Sequence, residues 1–249
     1  RADGMSDRLV VIPTYNEREN VRELHRSVRD ACDYDMLFVD DSSPDGTADE
    51  VRGLAASDPG VGLMERSGER GLGRAYEAAF RQVIENGAWR RVFMMDADLS
   101  HQPVHLRSLD AALDDHDMVL GSRYIRGVSV LNWSILRLNL SYSANSYIRA
   151  VTGMPFSDCT SGFRGIRADR LGSILSGRRH AGGYAFLVEM LHRAWRTGLS
   201  IREVPIVFVE REHGESKISA KVMLESLVTP LRLRLTGTRH SARGSAGAQ

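Results

Sequence analysis

Short apolar runs alternate with amphipathic segments along the first half of the chain. Each run is typical of a buried strand, and the predicted strands cover residues 8–12, 36–40, 61–64, 91–95 and 118–121. The helical spacing of apolar residues predicts helices between them, the first over residues 17–30 and another from Gly71 to about residue 86. This alternation predicts an α/β fold with a Rossmann-like, mostly parallel sheet flanked by helices.

The second half of the chain shows a different pattern. The predicted elements are a long amphipathic helix over residues 134–151, a helix over 183–196, a strand over 201–209 and a last helix over 217–234. Residues 1–7 and 236–249 are poor in apolar residues and are expected to be flexible. Because no shift in composition divides the chain, we expect one domain over residues 8–235.

The composition fits a globular protein with a sizeable core. Of the 249 residues 42% are hydrophobic, yet no stretch approaches the roughly 20 consecutive apolar residues of a membrane span, and no signal-peptide pattern precedes the first strand. The net charge of +1 gives no electrostatic reason to expect nucleic acid as a partner. Cys32 and Cys159 lack metal-binding or redox spacing, and they fit unpaired thiols in a reducing compartment.

Acidic residues follow two of the predicted strands. Asp40 and Asp41 end the second strand, and Asp96 and Asp98 follow the fourth. Because open α/β sheets bind ligands beyond the carboxyl ends of their strands, both clusters are expected to face one crevice. Two carboxylates one residue apart suit Mg²⁺ or Mn²⁺, which take few protein oxygens and add those of a bound phosphate. A turn or helix cap is the alternative role for such a pair.

Cationic residues that suit phosphate groups lie further along the chain. Arg123 comes directly after the fifth strand and is expected to face the same crevice. Arg137 and Ser141 lie four residues apart, on one face of the next helix, and can bind a second phosphate together with Arg123. A solvated helix face is the alternative for Arg137 alone. Lys217 is one of only two lysines among 33 basic residues, in a segment (208–217) typical of a mobile loop over an anionic ligand.

Seven motifs occur in a characteristic order. They are Pro13–Glu17, Val39–Thr47, Gly71–Gly73, Met95–His101, Gly121–Tyr124, Thr160–Arg164 and Val204–Lys217. In this order they resemble the motifs of the polyprenyl-phosphate (dolichol-phosphate) mannosyltransferases, which belong to the inverting family 2 glycosyltransferases. The match spans residues 8–232, nearly the whole chain. The resemblance implies a GT-A glycosyltransferase fold and one catalytic domain, of the soluble type without transmembrane helices.

The resemblance also implies roles for individual residues. Those expected to bind the guanosine of GDP-mannose are Pro13, Tyr15, Glu17, Val39 and Asp41. Asp96 and Ala97 are expected to contact the donor, and Asp98 to coordinate Mg²⁺ or Mn²⁺ with Asp96 beside it. Ser100 stands where some members have a metal-ligating Gln, so its place among the metal ligands stays open. The residues implied for the donor or acceptor phosphates are Arg123, Arg211 and Lys217, and those for the lipid phosphate are Arg137 and Ser141.

The implied activity is transfer of mannose from GDP-mannose to a polyprenyl monophosphate with inversion at the sugar. The attacking phosphate oxygen is already anionic, so catalysis needs positioning and electrostatics rather than a general base. The implied catalytic residues are Asp98, Arg123, Arg211 and Lys217. A lipid acceptor implies a cytoplasmic protein that is peripheral on the cytoplasmic face of a membrane.

Three other interpretations stay open. The first is transfer of another sugar, such as glucose from UDP-glucose, to the same lipid. The second is a nucleotidyltransferase, which would release pyrophosphate. The third is a silent regulatory subunit, which would have no reason to keep Asp98, Arg211 and Lys217 together. The products distinguish them: a nucleoside diphosphate with a lipid-linked sugar, pyrophosphate, or no turnover.

Overall fold

A seven-stranded sheet forms the centre of the molecule. The computed structural model describes residues 6–175, 185–210, 225 and 227–235. Its strands, numbered in chain order, are β1 (Arg8–Thr14), β2 (Asp35–Asp40), β3 (Val61–Glu65), β4 (Arg91–Met94), β5 (Met118–Ser122), β6 (Val130–Leu131), β7 (Arg164–Arg167), β8 (Ile201–Pro205) and β9 (Phe208–Val209). The large sheet has the order β3-β2-β1-β4-β7-β5-β8, and β6 pairs with β9 in a separate ribbon.

Helices cover both faces of the large sheet. They are α1 (Arg18–Ala31), α2 (Thr47–Ser57), α3 (Leu72–Asn86), α4 (Leu106–Ala112), α5 (Ile135–Thr152), α6 (Leu171–Leu175), α7 (Ala185–Arg196) and α8 (227–235). Short 3₁₀ turns precede α4 and α6. Within the described residues, no helix combines the length and the apolar character needed to cross a bilayer.

The hydrophobic core lies in two layers, one on each face of the sheet. In β1, Leu9 and Val11 face a cluster that includes residues of α3 and α7. Their neighbours Val10 and Ile12 face a second cluster built with α1, α2 and α4. Successive strand residues point to opposite faces, so a run of consecutive apolar residues is what a strand covered on both sides requires.

The five strands predicted for the first half are confirmed, and so is the mostly parallel sheet. β1 pairs in parallel with β2 and β4, β2 pairs in parallel with β3, and β5 pairs in parallel with β8. The sequence predicts that the first strand ends at residue 12. In the structure β1 continues to Thr14, and Pro13 stays in register with Val39. The helical segment between β4 and β5 begins as a 3₁₀ turn at Pro103.

Two features of the second half differ from the sequence expectation. The strand predicted over residues 201–209 is confirmed only as far as Pro205, because the chain then leaves the large sheet and Phe208–Val209 pairs with β6 instead. Strand β7 was not predicted, and it runs antiparallel between β4 and β5. Space there is tight: a Cβ on Gly165 would lie 2.8 Å from Val119. Only glycine fits between these strands without displacing a neighbour.

Candidate active site

The carboxyl ends of β1, β2, β4 and β5 bring the predicted site residues to one edge of the sheet. Strand β1 lies between β2 and β4, so the acidic clusters at Asp40–Asp41 and Asp96–Asp98 flank the end of β1. Strand β7 starts at this same edge, since Arg164 pairs with Met94 and with Leu120. The segment before β7 therefore also lies at this edge, which is where open α/β sheets bind ligands.

Strained backbone is concentrated around this edge. In the described part of the chain, four non-glycine residues have positive φ: Asn16, Ser42, Leu99 and Asn132, with φ between 57° and 65°. The first three follow β1, β2 and β4, and the fourth precedes Trp133. Left-handed backbone at such residues costs about 1 kcal/mol or more each and is most often kept at functional sites.

The two aspartates that end β2 have different surroundings. Asp40 is buried and accepts hydrogen bonds from the hydroxyls of Thr14 (3.0 Å) and Ser43 (2.6 Å), so it shapes the loop that follows. Asp41, also buried, forms an ion pair with Arg66 and accepts a hydrogen bond of 2.8 Å from the backbone N–H of Gly71. Asp41 thus fixes the segments that follow β3 and precede α3. Arg66 was not predicted, although its position directly after β3 places it at this edge.

The loops after β1 and β2 are joined to each other. The backbone N–H of Asn16 donates to the hydroxyl of Ser43, and that of Glu17 donates to the hydroxyl of Thr47, both at 3.0 Å. Tyr15 and Glu17 are half-buried on the rim of the site, and the guanidinium of Arg70 lies 4.5 Å from the centre of the Tyr15 ring. Pro13 is also half-buried, whereas Val39 is fully buried in the core beneath.

Gly73, in the first turn of α3, has a packing role. A Cβ on Gly73 would lie 2.8 Å from the ring of Phe186 on α7. A Gly71–Gly73 motif at a helix start allows two roles, phosphate binding or close packing. The contact with Phe186 supports the packing role for Gly73, because α3 and α7 approach each other there.

The segment Asp96–Asp98 after β4, called the acidic tip below, is fixed by hydrogen bonds with Ser100 and His101. The Asp98 carboxylate accepts hydrogen bonds from the hydroxyl (2.5 Å) and the backbone N–H (3.2 Å) of Ser100. The backbone N–H of Asp96 donates to Nδ1 of His101 at 3.0 Å, and that ring stacks on Phe163 with centroids 4.9 Å apart. His101, which was not assigned a role from sequence, therefore orients the tip.

The donor set at this tip suits a hard divalent cation. Asp96 and Asp98 offer carboxylate oxygens, and the Asp96 side chain is 31% exposed. Ala97, between them, is buried and holds the backbone against the core. No group of three or more His, Cys, Asp or Glu side chains that could hold a metal occurs within the described ranges. A pair of carboxylates matches Mg²⁺ or Mn²⁺, which complete their shells with water and substrate phosphate.

Arg123 lies at the edge as predicted, but it is buried and already paired. Its Nε and Nη2 donate to the two carboxylate oxygens of Asp158, each at 2.7 Å, and Nη2 also donates to the hydroxyl of Thr160 at 2.9 Å. Asp158 is completely buried. Burial alone would lower the pKa of Arg123 and raise that of Asp158, but their mutual attraction reverses both shifts, and the pair stays ionised. Nothing in the sequence had identified Asp158 as a site residue.

Arg137 and Ser141 lie near Arg123 on the first half of α5, as predicted. The guanidinium of Arg137 forms an ion pair with Glu210 and lies 4.4 Å from the centre of the Trp133 ring. That of Arg123 lies 5.5 Å from the same ring centre. The hydroxyl of Ser141 accepts a hydrogen bond of 2.7 Å from Tyr124. Trp133 and Glu210 were not predicted as site residues.

A buried cation lies beneath the site. Arg164 is completely buried and donates to the carbonyl oxygens of Ser161, Leu187 and Cys159 at 2.7, 2.8 and 3.2 Å. Burial lowers its pKa to about 10, so it keeps its charge near neutral pH. Its bonds tie the segment before β7, which carries Asp158 and Thr160, to helix α7.

Two predicted site residues, Arg211 and Lys217, lie outside the described residues.

The fold is shared with solved glycosyltransferase structures. A structure of glucosyl-3-phosphoglycerate synthase from Mycobacterium tuberculosis in complex with Mn²⁺, UDP-glucose and phosphoglyceric acid matches with a TM-score of 0.66 at 19% identity, covering 94% of this chain and 81% of that one. The sheet order, the acidic tip after β4 and this likeness define a GT-A glycosyltransferase fold.

Sequence comparison gives the family. A family model described as "Glycosyl transferase family 2" matches residues 9–175. The undecaprenyl-phosphate mannosyltransferase of Micrococcus luteus is 42% identical, covering 96% of this chain and 98% of that protein. The polyprenol monophosphomannose synthase of Mycolicibacterium smegmatis is 41% identical, covering 95% and 90%. The chain belongs to glycosyltransferase family 2, and its curated relatives include polyprenyl-phosphate mannosyltransferases.

Proposed function

We propose that the protein transfers mannose from GDP-mannose to a polyprenyl monophosphate with inversion, giving polyprenyl β-phosphomannose and GDP. The observation that carries the proposal is the meeting of the Asp96–Asp98 tip with Arg123 and Arg137 at one edge of the sheet. An acidic tip suits a metal-bound diphosphate, and arginines suit a second phosphate. The names of the relatives from Micrococcus luteus and Mycolicibacterium smegmatis support mannose as the sugar and a polyprenyl phosphate as the acceptor.

The donor is proposed to lie along the ends of β1, β2 and β4. Pro13, Tyr15, Glu17, Val39 and Asp41 would form the guanosine site. Asp41 already accepts bonds from Arg66 and Gly71, but a carboxylate has about four lone-pair positions, so it can still accept from a ribose hydroxyl. Asp98 and Asp96 would hold Mg²⁺ or Mn²⁺, which would neutralise charge on the departing diphosphate. Ser100 donates to Asp98 and keeps oxygen lone pairs with which it can also contact the ion.

The acceptor phosphate is proposed to bind at Arg123, Arg137 and Ser141. Its oxygen is anionic near neutral pH and attacks the sugar without a base, so the task of these residues is to align it. Asp158 fixes Arg123, and the Trp133 ring supports Arg137. Arg211 and Lys217 are proposed to bind the leaving diphosphate.

Product analysis tests the proposal. The protein would be incubated with polyprenyl monophosphate in vesicles, MnCl₂ and labelled GDP-mannose, with labelled UDP-glucose in a parallel reaction. We expect label from GDP-mannose in a lipid product, with release of an equal amount of GDP. Transfer from UDP-glucose instead would replace the donor assignment, and release of pyrophosphate would indicate a nucleotidyltransferase.

Substituting Arg137 with alanine is expected to impair acceptor binding selectively. Loss of a charge-assisted bond to phosphate should raise the acceptor KM by about tenfold or more. The affinity for GDP-mannose, measured by calorimetry, should be unchanged, because the donor is proposed to contact the other end of the site. A loss of donor affinity in this variant would contradict the assignment.

Exposed apolar side chains on α5 support peripheral binding of the protein to a membrane. On the first turns of α5, Ile135, Leu136 and Leu140 are 78%, 71% and 62% exposed, close to Arg137. We propose that these side chains enter the membrane interface while Arg137 reaches the lipid headgroup.

The double substitution Leu136→Ser and Leu140→Ser is expected to lower the fraction of protein that sediments with anionic vesicles by several-fold. Thermal stability should be unchanged, since both side chains are exposed. Ile84→Ser on α3, where the side chain is 47% exposed, serves as the control. Equal sedimentation of the double variant and the control would remove α5 as the membrane contact.

A further inference from the structure

The proposed acceptor site already contains an anionic group of the protein. The carboxylate of Glu210 forms an ion pair with Arg137, and its backbone N–H donates to the carbonyl oxygen of Leu131 at 3.1 Å. Glu210 follows β9, so the β6–β9 ribbon holds it opposite α5. Both charged side chains are about one third exposed, at 34% and 33%. An acceptor phosphate that approaches Nη1 of Arg137 from solvent therefore meets Glu210.

We propose that Glu210 occupies the place of the acceptor phosphate at Arg137 and is displaced when the acceptor binds. The inference rests on the proposed function, because it takes Arg137 as a ligand of the acceptor. A carboxylate and a phosphate both accept from the same N–H groups of a guanidinium. Two anions on one guanidinium repel each other, so the acceptor and Glu210 compete for Arg137.

A hydrogen-bond donor close to the Arg137–Glu210 pair has no acceptor. The indole Nε1 of Trp133 is buried and has no hydrogen-bond partner among the described residues, although its ring lies directly beneath Arg137. Leaving such a donor unsatisfied is costly, and native structures rarely do so without a function. This nitrogen is closed to solvent, so an oxygen of a bound phosphate would reach it only after a rearrangement such as the displacement of Glu210.

The exposure of the pair makes displacement possible. Ion pairs that stay in contact with solvent are weak, and a phosphomonoester near neutral pH carries close to two negative charges against the one of Glu210. Competition of this kind lowers the affinity of every anion that needs Arg137 by the same factor. The lipid product, a phosphodiester, is thus held less tightly as well, which favours its release.

Binding of farnesyl monophosphate, measured by calorimetry, tests the proposal without the sugar donor. Glu210→Gln should bind this probe about two- to fivefold more tightly than the wild type, because the competitor is gone. Glu85→Gln, which removes an equal charge from an exposed position on α3, should bind like the wild type. In the Arg137→Ala background, the gain from Glu210→Gln should vanish.

The outcomes separate the two proposals. Weaker or unchanged binding by Glu210→Gln would overturn the competition, and weaker binding would mean that Glu210 positions Arg137 instead. A full gain in the Arg137→Ala background would overturn it too, because the effect would then be general repulsion. Absence of binding by the wild type would overturn both this inference and the acceptor assignment. Binding with the expected pattern but without mannose transfer would contradict the proposed function alone.

Discussion

Asp98→Ala is expected to lower the rate of mannose transfer by at least about a thousandfold while the protein stays folded. A metal contributes several kcal/mol to charge stabilisation in the transition state, and each 1.4 kcal/mol is about a factor of ten. Asp98 is the proposed ligand, and the Ser100 bonds aim its carboxylate. The side chain is only partly buried, so its loss should leave no large cavity.

The measurement is the initial rate of lipid labelling over a range of MnCl₂ concentrations, with far-UV circular dichroism as the check of folding. Asp33→Ala, at a side chain that is fully exposed, provides the matched control and should retain the wild-type rate. Full activity of Asp98→Ala in EDTA-treated buffer would refute the metal assignment.

Asp158→Asn is expected to lower the free energy of unfolding by about 3–5 kcal/mol. The substitution leaves the buried guanidinium of Arg123 without a counter-charge, and the cost of an uncompensated buried charge accounts for the size of the effect. It also replaces one acceptor oxygen with an NH₂ donor, so the backbone N–H (3.0 Å), Nε and Nη2 of Arg123 can no longer all be satisfied by residue 158.

Urea unfolding followed by fluorescence measures this loss. Asp169→Asn is the control, since Asp169 pairs with Arg167 at 3.1 Å where both side chains are about half exposed, and it should cost less than about 1 kcal/mol. The pair lowers the pKa of Asp158. Its contribution is therefore present above the unfolded carboxyl pKa of about 3.9 and is lost as the pH falls below it. A stability within 1 kcal/mol of the wild type would mean that the pair is not needed for folding.

The sequence predicts the first half of the sheet well because those strands are covered on both faces. Apolar residues then occupy consecutive positions, as in β2, and the pattern is hard to mistake. Strand β7 lacks this pattern, since arginines stand at both of its ends. Arg164 is fully buried, whereas arginine is almost never fully buried unless it is paired. Nothing local in the sequence indicates that carbonyl oxygens from α7 and from the preceding loop would surround it.

The candidate site likewise contains residues that the sequence predicts and residues that it does not. Residues that follow strands, such as Asp98 and Arg123, are predictable because the topology of a parallel sheet fixes where strand ends meet. Their partners are not, since Asp158 lies 35 residues from Arg123 and Glu210 lies 73 residues from Arg137. Such pairs depend on how the β6–β9 ribbon and the loop before β7 pack, and no local sequence pattern indicates that packing.

The antiparallel strand β7 also constrains the order in which the molecule can be assembled. β4 and β5 do not pair with each other in the sheet, and β7 lies between them. A nascent chain that has emerged only as far as Ser122 thus carries two strands with unpaired edges until residues 164–167 arrive. Unpaired strand edges invite association between chains. Truncated products that end before β7 should therefore aggregate, and folding during synthesis should finish only after the second half of the chain has left the ribosome.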